Sequence, residues 1–288
     1  GYPAAIRGAQ LGARVCLVEE ERLGGVCLNW GCIPTKTLHA AAHLIELAGT
    51  GRESGISGSI SVDPEGLMKH KNSTVDALVG GVGKLLKGRK VDVVKGRGRI
   101  LSPGAVDVEG HGSVEGAAVL VATGSSEIEL PGMGFDGKTV LSSTDLLDLG
   151  RVPESMIVVG GGVIGCEFAS IFNAFGTKVT VVEMLPSIIA TEDIHVIRFL
   201  QTYLKKKGIT LHLGTKVSSL EKNAGKVTAI LESGDEIEAE VALVSVGRRP
   251  RTAGIGLEEI GVETSRDGIA VDEGMMTSVE GVYAAGDV

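Results

Sequence analysis

The sequence predicts an α/β protein made of two doubly wound domains, each built on a parallel sheet and accompanied by β-meanders. Glycine is unusually abundant, with 43 glycines in 288 residues, which is typical of tight strand-to-helix turns and of backbone packed against ligands. A pattern of glycine, helix, strand and acidic residue occurs twice along the chain. The length is sufficient for two ordinary domains with separate hydrophobic cores.

The first copy of the pattern lies at the start of the chain. Residues 1–19 predict a helix of small residues, a turn at Gly12 and an apolar strand that ends at Glu19. Gly1 of this copy corresponds to Gly165 of the second copy, in which a strand and two more glycines come first. We therefore expect the sequence to be a fragment that lacks the first strand of its first domain and binds its first nucleotide poorly by itself.

Two cysteines, Cys27 and Cys32, follow a glycine pair at 24–25. A disulfide between them would close a short loop and remove little entropy from the unfolded chain, so the spacing favours a bond that opens and closes. The alternative is a pair of buried free thiols. A zinc site usually needs two such pairs, but Cys16 and Cys166 are isolated.

The region between the two copies reads as helices and short strands. The cysteine motif continues into a helix over 38–47, on which His39 and His43 lie one turn apart without a third ligand, so we predict no metal site. The other predicted elements are a loop over 50–64, an amphipathic helix over 75–86, strands over 91–94, 99–101, 105–108 and 119–124, and a connection over 130–153.

The second copy is complete. A strand over 156–159 leads into Gly160-x-Gly162-x-x-Gly165, a helix, and a strand over 178–183 that ends at Glu183. This is the dinucleotide fingerprint of a Rossmann-like domain in its strand-turn-helix-strand setting. Its glycines let the backbone approach a pyrophosphate at the helix N-terminus. The remaining predictions are strands over 209–213, 216–220, 226–231, 241–246 and 281–288, and a helix over 191–207.

The composition argues against two classes of protein. The formal charge is −8 and the longest basic run is residues 205–207, whereas a nucleic-acid surface needs clustered basic residues. No apolar stretch reaches membrane-spanning length without glycine or charge. We expect no nucleic-acid partner, no membrane span, and a location in the cytoplasm or in an organelle matrix.

Several motifs together resemble the flavin-dependent pyridine nucleotide-disulfide oxidoreductases, and within that family the dihydrolipoyl dehydrogenase branch. They are Gly-Gly-x-Cys-Leu-Asn-x-Gly-Cys-Ile-Pro-x-Lys at 24–36, Ala-Thr-Gly at 122–124, the second fingerprint, Gly-Arg-Arg-Pro at 247–250 and Ala-Gly-Asp at 285–287. The resemblance covers all 288 positions. It implies two Rossmann-like domains, one for FAD over 1–149 and 248–288 and one for NAD over 150–247, with a C-terminal dimerisation domain outside this chain.

The resemblance also implies a set of cofactor-binding residues. Glu19 would accept hydrogen bonds from the adenosine ribose of FAD, and Asp287 would bind the ribityl chain. The expected FAD residues are Gly1, Glu19, Gly24, Gly25, Lys36, Gly98 (in a Gly-Arg-Gly turn), Thr123, Gly124 and Asp287. The expected NAD residues are Gly160, Gly162, Gly165, Glu183, Val217 and Gly247.

The choice of NAD over NADP rests on Glu183. A carboxylate at the end of the second strand accepts hydrogen bonds from the ribose diol, and its charge disfavours a 2′-phosphate. Residues 184–187 are Met-Leu-Pro-Ser, with no arginine to receive that phosphate.

By the same resemblance, Cys27 would exchange with a dithiol substrate, Cys32 would face the flavin, and Lys36 and Glu167 would form a pair beside the flavin ring. An irregular turn containing Gly31 is expected to bring the two sulfurs to one face of the flavin. The family's acid-base histidine would lie beyond Val288, and none of the six histidines of this chain matches its motif. We therefore expect the fragment to be poorly active or inactive.

The function implied is the oxidation of protein-bound dihydrolipoamide with NAD+ as hydride acceptor. The partners implied are a lipoyl-bearing protein of a 2-oxo acid dehydrogenase or glycine cleavage complex and, for the full-length protein, a second copy in a homodimer. The alternative is a related FAD-dependent reductase of glutathione or mercuric ion. A non-catalytic nucleotide-binding subunit would have no use for the Cys27 and Cys32 pair.

Overall fold

The computed structural model describes residues 1–51, 55, 58, 60–223 and 225–288. It confirms the predicted α/β class with parallel sheets. The helices are α1 (Tyr2–Gln10), α2 (Gly25–Trp30), α3 (Cys32–Thr50), α4 (Pro64–Gly88), α5 (Ser143–Leu147), α6 (Val163–Ala174) and α7 (Ile194–Lys206).

The strands fall into two sets, one from the beginning and the end of the chain and one from its middle. The first set is β1 (Cys16–Glu19), β2 (Asp92–Lys95), β3 (Gly98–Ser102), β4 (Ala105–Val108), β5 (Gly112–Glu115), β6 (Val119–Val121), β7 (Ser125–Glu127), β16 (Arg248–Pro250), β17 (Thr264–Ser265), β18 (Gly268–Ile269) and β19 (Val282–Ala284). The second set is β8 (Val140–Leu141), β9 (Ser155–Val159), β10 (Lys178–Glu183), β11 (Thr210–Leu213), β12 (Val217–Asn223), β13 (Lys226–Leu231), β14 (Glu236–Ala239) and β15 (Val241–Val244).

The chain divides into two compact units. The first unit comprises Gly1–Asn29, Val75–Ser126 and Arg248–Val288, and the second comprises Trp30–Thr74 and Glu127–Gly247. The assignment of FAD to residues 1–149 and 248–288 and of NAD to residues 150–247 stays a prediction.

The second unit is organised around a five-stranded parallel sheet with the order β11-β10-β9-β15-β8. Its middle strand β9 is buried from Met156 to Val159, as expected for a parallel strand that is covered on both faces. Met156 and Val158 pack in one apolar cluster with α6, while Ile157 and Val159 pack in another with the antiparallel meander β12-β13-β14. The predicted strand, helix and strand of the second fingerprint are confirmed as β9, α6 and β10.

The first unit contains two parallel pairs, β1 with β2 and β6 with β19, and the antiparallel meander β3-β4-β5. Its main apolar cluster includes Ile100, Val121, Leu257 and Val282. The predicted N-terminal helix and strand are confirmed as α1 and β1. The Gly-Arg-Gly turn over 96–98 connects β2 to β3, and its last residue, Gly98, is the first residue of β3 and pairs with Val108 of β4.

Two predictions are corrected. The expected connection over 130–153 contains β8 and α5. Ser142 is the N-cap of α5 and forms a capping box, in which its hydroxyl accepts from Asp145 N–H and the Asp145 carboxylate accepts from Ser142 N–H. The helix expected over 75–86 begins earlier, at Pro64, where proline is favoured in the first turn. The predicted loop over 50–64 lies partly outside the described residues.

Asp136 organises the approach to β8. Its Oδ1 accepts backbone N–H groups from Lys138, Thr139 and Val140 at 2.8–2.9 Å, and Lys222 Nζ lies 2.9 Å from its Oδ2. Partial burial would raise the pKa of this carboxyl, but the hydrogen bonds from these groups outweigh burial and hold the pKa well below its usual range.

Replacing Asp136 with asparagine is expected to reduce the free energy of unfolding by about 1–2 kcal/mol at neutral pH, because asparagine keeps one acceptor oxygen but loses the charge. Since the folded-state pKa of Asp136 is lowered, its contribution is fully present above about pH 4 and is lost as the pH falls through the folded-state value. Urea titrations between about pH 7 and pH 3 measure this. The control is Asp107→Asn on the exposed face of β4. Equal losses in both variants at every pH would contradict the assignment.

Candidate functional site

In the glycine turn between β9 and α6, the backbone at Gly165 packs directly against the backbone at Gly160. Gly160 has φ +103°, and a Cβ added to Gly165 would lie 2.0 Å from Gly160 O. A Cβ added to Gly162, by contrast, would meet no heavy atom within 4 Å in the described part of the chain. Gly162 is the N-cap of α6, where the first turn of a helix leaves backbone N–H groups unpaired. The open space at Gly162 therefore leaves room for a phosphate at this helix N-terminus.

Glu183 lies at the end of β10 beside this turn and is buried. Its Oε2 accepts Gly161 N–H at 2.6 Å and its Oε1 accepts Leu185 N–H at 2.7 Å. A carboxylate has about four acceptor positions, so acceptor capacity remains for a ribose diol. The chemistry of this site therefore fits the adenosine half of a dinucleotide.

Ser245 contacts the glycine turn, and sequence reasoning missed it. It directly follows β15, its N–H donates to Val159 O at 2.8 Å, and its hydroxyl lies 3.2 Å from Gly160 O. A signal was present, because the carboxyl ends of adjacent parallel strands meet at one edge of a sheet. Ser245, the polar residue that follows β15 beside β9, was therefore a candidate for a residue of this site.

The other two expected NAD residues occupy different environments. Val217 is the first residue of β12, and its side chain is buried in the apolar cluster that the meander shares with β9. Gly247 has φ +124°, and its carbonyl accepts Ile128 N–H at 3.1 Å.

The expected FAD residues of the first unit flank β1 and α1. A Cβ on Gly1 would lie 3.8 Å from Ala122 Cβ, and one on Gly98 would lie 3.3 Å from Val18 Cγ1. Glu19, at the end of β1, accepts Glu21 N–H at 2.9 Å.

In the first unit, a set of hydrogen bonds connects the segment after β6 with the segment after β16. The Thr123 hydroxyl donates to Arg251 O at 2.7 Å, and Arg251 N–H donates to Gly124 O at 2.8 Å. Gly124 has φ +70°, which explains the glycine after Ala-Thr, since other residues rarely adopt this conformation. Thr123 and Gly124 are thus held by backbone that is far away in the sequence.

Ser125 extends this set of hydrogen bonds to Asp287. The Ser125 hydroxyl donates to Asp287 Oδ2 at 3.4 Å and accepts from Arg248 Nε at 2.9 Å, and Arg248 also donates to Ser125 O at 2.7 Å. Ser125 is buried whereas Asp287 is exposed. Sequence reasoning missed Ser125, Arg248 and Arg251 because no short-range pattern joins residues more than a hundred positions apart.

The cysteine motif forms two helices and not the single irregular turn that was expected. Cys27 lies in α2, and Cys32 is the first residue of α3, after a break at Gly31. Both cysteines are exposed, so the alternative of two buried thiols does not hold for this pair.

Asn29 stabilises the glycine pair at the start of α2. Its Nδ2 donates to Leu23 O at 3.1 Å and to Gly25 O at 3.0 Å, while Gly24 and Gly25 have φ +114° and +72°. The Asn29 Oδ1 is buried and has no hydrogen-bond partner within the described part of the chain. Since buried polar atoms are usually paired, this oxygen fits a donor from a bound group beside the Gly24 turn.

Lys36 and Glu167 are brought together, with Nζ and Oε1 2.5 Å apart between α3 and α6. Their side chains are 58% and 35% exposed, so the pair contributes little to stability. The role of this pair beside a flavin stays a prediction.

His39 and His43 lie one turn apart on α3. The rings of His39 and His43 are stacked with centroids 6.4 Å apart. Within the described residues, no cluster of three or more His, Cys, Asp or Glu side chains is arranged to hold a metal ion.

The helices of the described residues include none long and apolar enough to cross a membrane.

Curated proteins with similar sequences carry related names. The chain is 40% identical over 296 residues to dihydrolipoyl dehydrogenase of Bacillus subtilis (strain 168), covering 100% of the chain and 64% of that protein. It is 41% identical over 301 residues to leghemoglobin reductase of Vigna unguiculata, covering 100% of the chain and 58% of that protein. The chain thus spans less than two thirds of the length of these relatives.

Solved structures support the same grouping. LpdA from Mycobacterium tuberculosis superimposes with a TM-score of 0.93 at 28% identity, covering 100% of the chain and 65% of that structure. The Cu(II) complex of the HOCl-induced flavoprotein disulfide reductase RclA from Escherichia coli gives a TM-score of 0.88 at 28% identity, covering 100% and 63%. These likenesses confirm the predicted fold class.

The family comparison covers the complete chain. Residues 1–288 match the family described as pyridine nucleotide-disulphide oxidoreductase. With the relatives above, this match confirms the predicted cofactors of the family, FAD and NAD(H). The chain belongs to the pyridine nucleotide-disulphide oxidoreductase family.

Proposed function

We propose that the full-length protein containing this chain is a dihydrolipoyl dehydrogenase, which oxidises protein-bound dihydrolipoamide and reduces NAD+. The observation that carries the proposal is the pair of exposed cysteines on either side of the Gly31 break, where a dithiol in solution has access to them. Exposure is a requirement for thiol-disulfide exchange. Similarity to dihydrolipoyl dehydrogenases along the whole chain supports the choice of substrate.

The glycine turn at 160–165 supports the proposed NAD site. The tight contact at Gly165 and the open surface at Gly162 are what a bound pyrophosphate needs. Glu183 has acceptor capacity for a ribose diol, and residues 184–187 contain no arginine for a 2′-phosphate. We assign NAD to residues 150–247, with Val217 and Gly247 as further contacts.

Residues 1–149 and 248–288 are assigned to FAD. The Asn29 Oδ1 beside the glycine pair, which has no hydrogen-bond partner among the described residues, supports this assignment, as do the hydrogen bonds that hold Thr123, Gly124 and Asp287. Glu19 would accept from the adenosine ribose. The remaining expected FAD contacts are Gly1, Gly24, Gly25, Lys36 and Gly98.

The redox chemistry balances with two cofactors. The dithiol substrate loses two electrons and two protons and becomes a cyclic disulfide, while the Cys27–Cys32 disulfide is reduced to two thiols. Bound FAD supplies the two-electron step between thiols and a nicotinamide, and the net acceptor NAD+ becomes NADH with release of one proton. One substrate thiolate would attack Cys27 of the disulfide, forming a mixed disulfide with Cys27 and releasing Cys32 as a thiolate. The second substrate thiolate would then displace Cys27 and close the cyclic disulfide. Lys36 with Glu167 would hold a fixed charge pair near Cys32.

The partners follow from this function. We propose a lipoyl-bearing protein of a 2-oxo acid dehydrogenase or glycine cleavage complex as the substrate, and a homodimer as the active form. The acid-base histidine would come from a part of the protein beyond this chain. A location in the cytoplasm or an organelle matrix is consistent with such partners.

The test is an anaerobic titration of the full-length protein, first with dihydrolipoamide and then with NAD+, followed by absorption spectroscopy. A long-wavelength charge-transfer band that rises with the dithiol and decays with NAD+ is expected, since a thiolate beside a flavin produces it. The matched control is Cys16→Ala, which leaves the Cys27 and Cys32 pair intact.

No band with dihydrolipoamide, together with a band produced by NADPH, would contradict the proposal. That outcome would favour the second candidate, another flavoprotein disulfide reductase of the family, to which the structural likeness to RclA points.

A further inference from the structure

The backbone of Gly161, in the middle of the glycine turn, is held from two sides. Its N–H donates to Glu183 Oε2 at 2.6 Å. Its carbonyl oxygen accepts Ile189 N–H at 2.8 Å and lies 3.4 Å from the Cys166 Sγ, which donates to it. Three residues from three different segments therefore fix the orientation of one glycine.

The partners of Gly161 are themselves buried. Glu183 and Ile189 are each 8% exposed and Cys166 is 5% exposed. Burial raises the pKa of the Cys166 thiol to about 12, and the charge of Glu183 adds to the shift. The sulfur therefore keeps its proton at neutral pH and stays a hydrogen-bond donor. Hydrogen bonds shielded from water in this way are strong, and losing one leaves a costly unpaired group.

Ile189 has an unusual backbone conformation for its type. Its φ is +41°, in the left-handed region that β-branched residues rarely adopt. This conformation coincides with the hydrogen bond from its N–H to Gly161 O. Such strain persists only where the surrounding structure fixes it, and it concentrates at functional sites.

Packing adds a steric limit to these hydrogen bonds. A Cβ on Gly161 would lie 2.8 Å from Ile188 Cγ2 and 3.1 Å from Glu183 Cβ. Ile188 is fully buried. The segment after β10 therefore packs directly on the turn and leaves room only for glycine.

We propose that Glu183, Cys166 and Ile189 form a clamp on Gly161 that holds the glycine turn in its dinucleotide-binding conformation. Glu183 is then a positioning residue for the pyrophosphate as well as the acceptor for the ribose diol. The proposal rests on the NAD-binding role given above to this turn. Its consequence is that removing Glu183 weakens the binding of NADH and of NADPH, although only NADH needs the carboxylate at its ribose.

The first test compares Glu183→Gln with Glu183→Ala in the full-length holoenzyme, using NADH and NADPH as donors to ferricyanide. Glutamine keeps an oxygen that accepts Gly161 N–H but loses the charge, so the KM for NADPH is expected to fall. Alanine removes the acceptor, so the KM for both nucleotides is expected to rise by about tenfold or more, the cost of one lost charge-assisted hydrogen bond.

The second test uses Cys166, which contacts the turn and has no expected contact with ribose. Cys166→Ala is expected to raise the KM for NADH about two- to tenfold with kcat unchanged, as for one lost neutral hydrogen bond. Cys166→Ser restores a donor and is expected to recover most of the affinity. Cys16→Ala serves as the control.

Two results would overturn the clamp. One is a KM for NADPH that falls equally in Glu183→Gln and Glu183→Ala, because Glu183 would then act on the ribose alone. The other is an unchanged KM for NADH in Cys166→Ala. A wild-type holoenzyme that does not oxidise NADH at all would contradict the proposed function itself, and with it the clamp.

Discussion

Replacement of Cys32 with serine is expected to reduce the oxidation of dihydrolipoamide by the full-length holoenzyme more than about a thousandfold, in line with the loss of an essential covalent group. Serine cannot form the disulfide with Cys27, so the substrate dithiol has no group to reduce. The oxidation of NADH by ferricyanide, which does not need the disulfide, is expected to stay within about twofold of the wild type.

Comparing the two assays separates loss of the redox-active disulfide from damage to FAD binding. Cys16→Ser provides the control, because Cys16 is also exposed but lies outside the motif. Retention of lipoamide activity in Cys32→Ser would show that the redox pair is elsewhere. Loss of both activities would instead indicate damage to FAD binding, which the flavin absorbance of the purified variant measures directly.

Replacement of Gly165 with alanine is expected to destabilise the second unit by about 3 kcal/mol, the upper end for overpacking a buried site. The added Cβ would lie 2.0 Å from Gly160 O and 2.8 Å from Ser245 Oγ. A backbone oxygen cannot move away without opening the turn, so NADH binding is expected to fall as well. Thermal unfolding and the KM for NADH measure the two effects.

Gly162→Ala is the matched control for this substitution. Its Cβ would point into space that no described atom occupies within 4 Å, at a φ of −70° that alanine adopts readily. We therefore expect an unchanged melting temperature but a raised KM for NADH, because the methyl group would stand where the pyrophosphate approaches. A stable Gly165→Ala variant with normal NADH affinity would contradict the assignment of this turn.

The parts of the fold that sequence predicts well are those with local causes. The register of Gly160, Gly165 and Glu183 follows from the spacing of a strand, a turn and a helix, and the buried run of β9 follows from its apolar residues. The capping box at Ser142 also has a local signal, Ser-x-x-Asp, and the prediction of a connection there was wrong because β8 is short and α5 has only five residues.

Other parts depend on distant segments and have no local signal. The hydrogen bonds of Ser125 with Arg248 and Asp287 join positions 123 and 162 residues apart. The break at Gly31 replaced the expected irregular turn because the residues on each side continue as helix. The positive φ of Ile189 coincides with its hydrogen bond to Gly161 O, and nothing in the residue type indicates it.

The burial of Cys166 makes this residue a built-in probe of how the second unit opens. Of the four cysteines, only Cys166 is shielded, while Cys16, Cys27 and Cys32 are exposed. In the reduced protein, in which Cys27 and Cys32 are thiols, an alkylating reagent should therefore modify Cys16, Cys27 and Cys32 rapidly, and Cys166 only during transient opening of the α6 and β10 core. The slow labelling rate would report the free energy of that local opening, and bound NADH should slow it further in proportion to its occupancy.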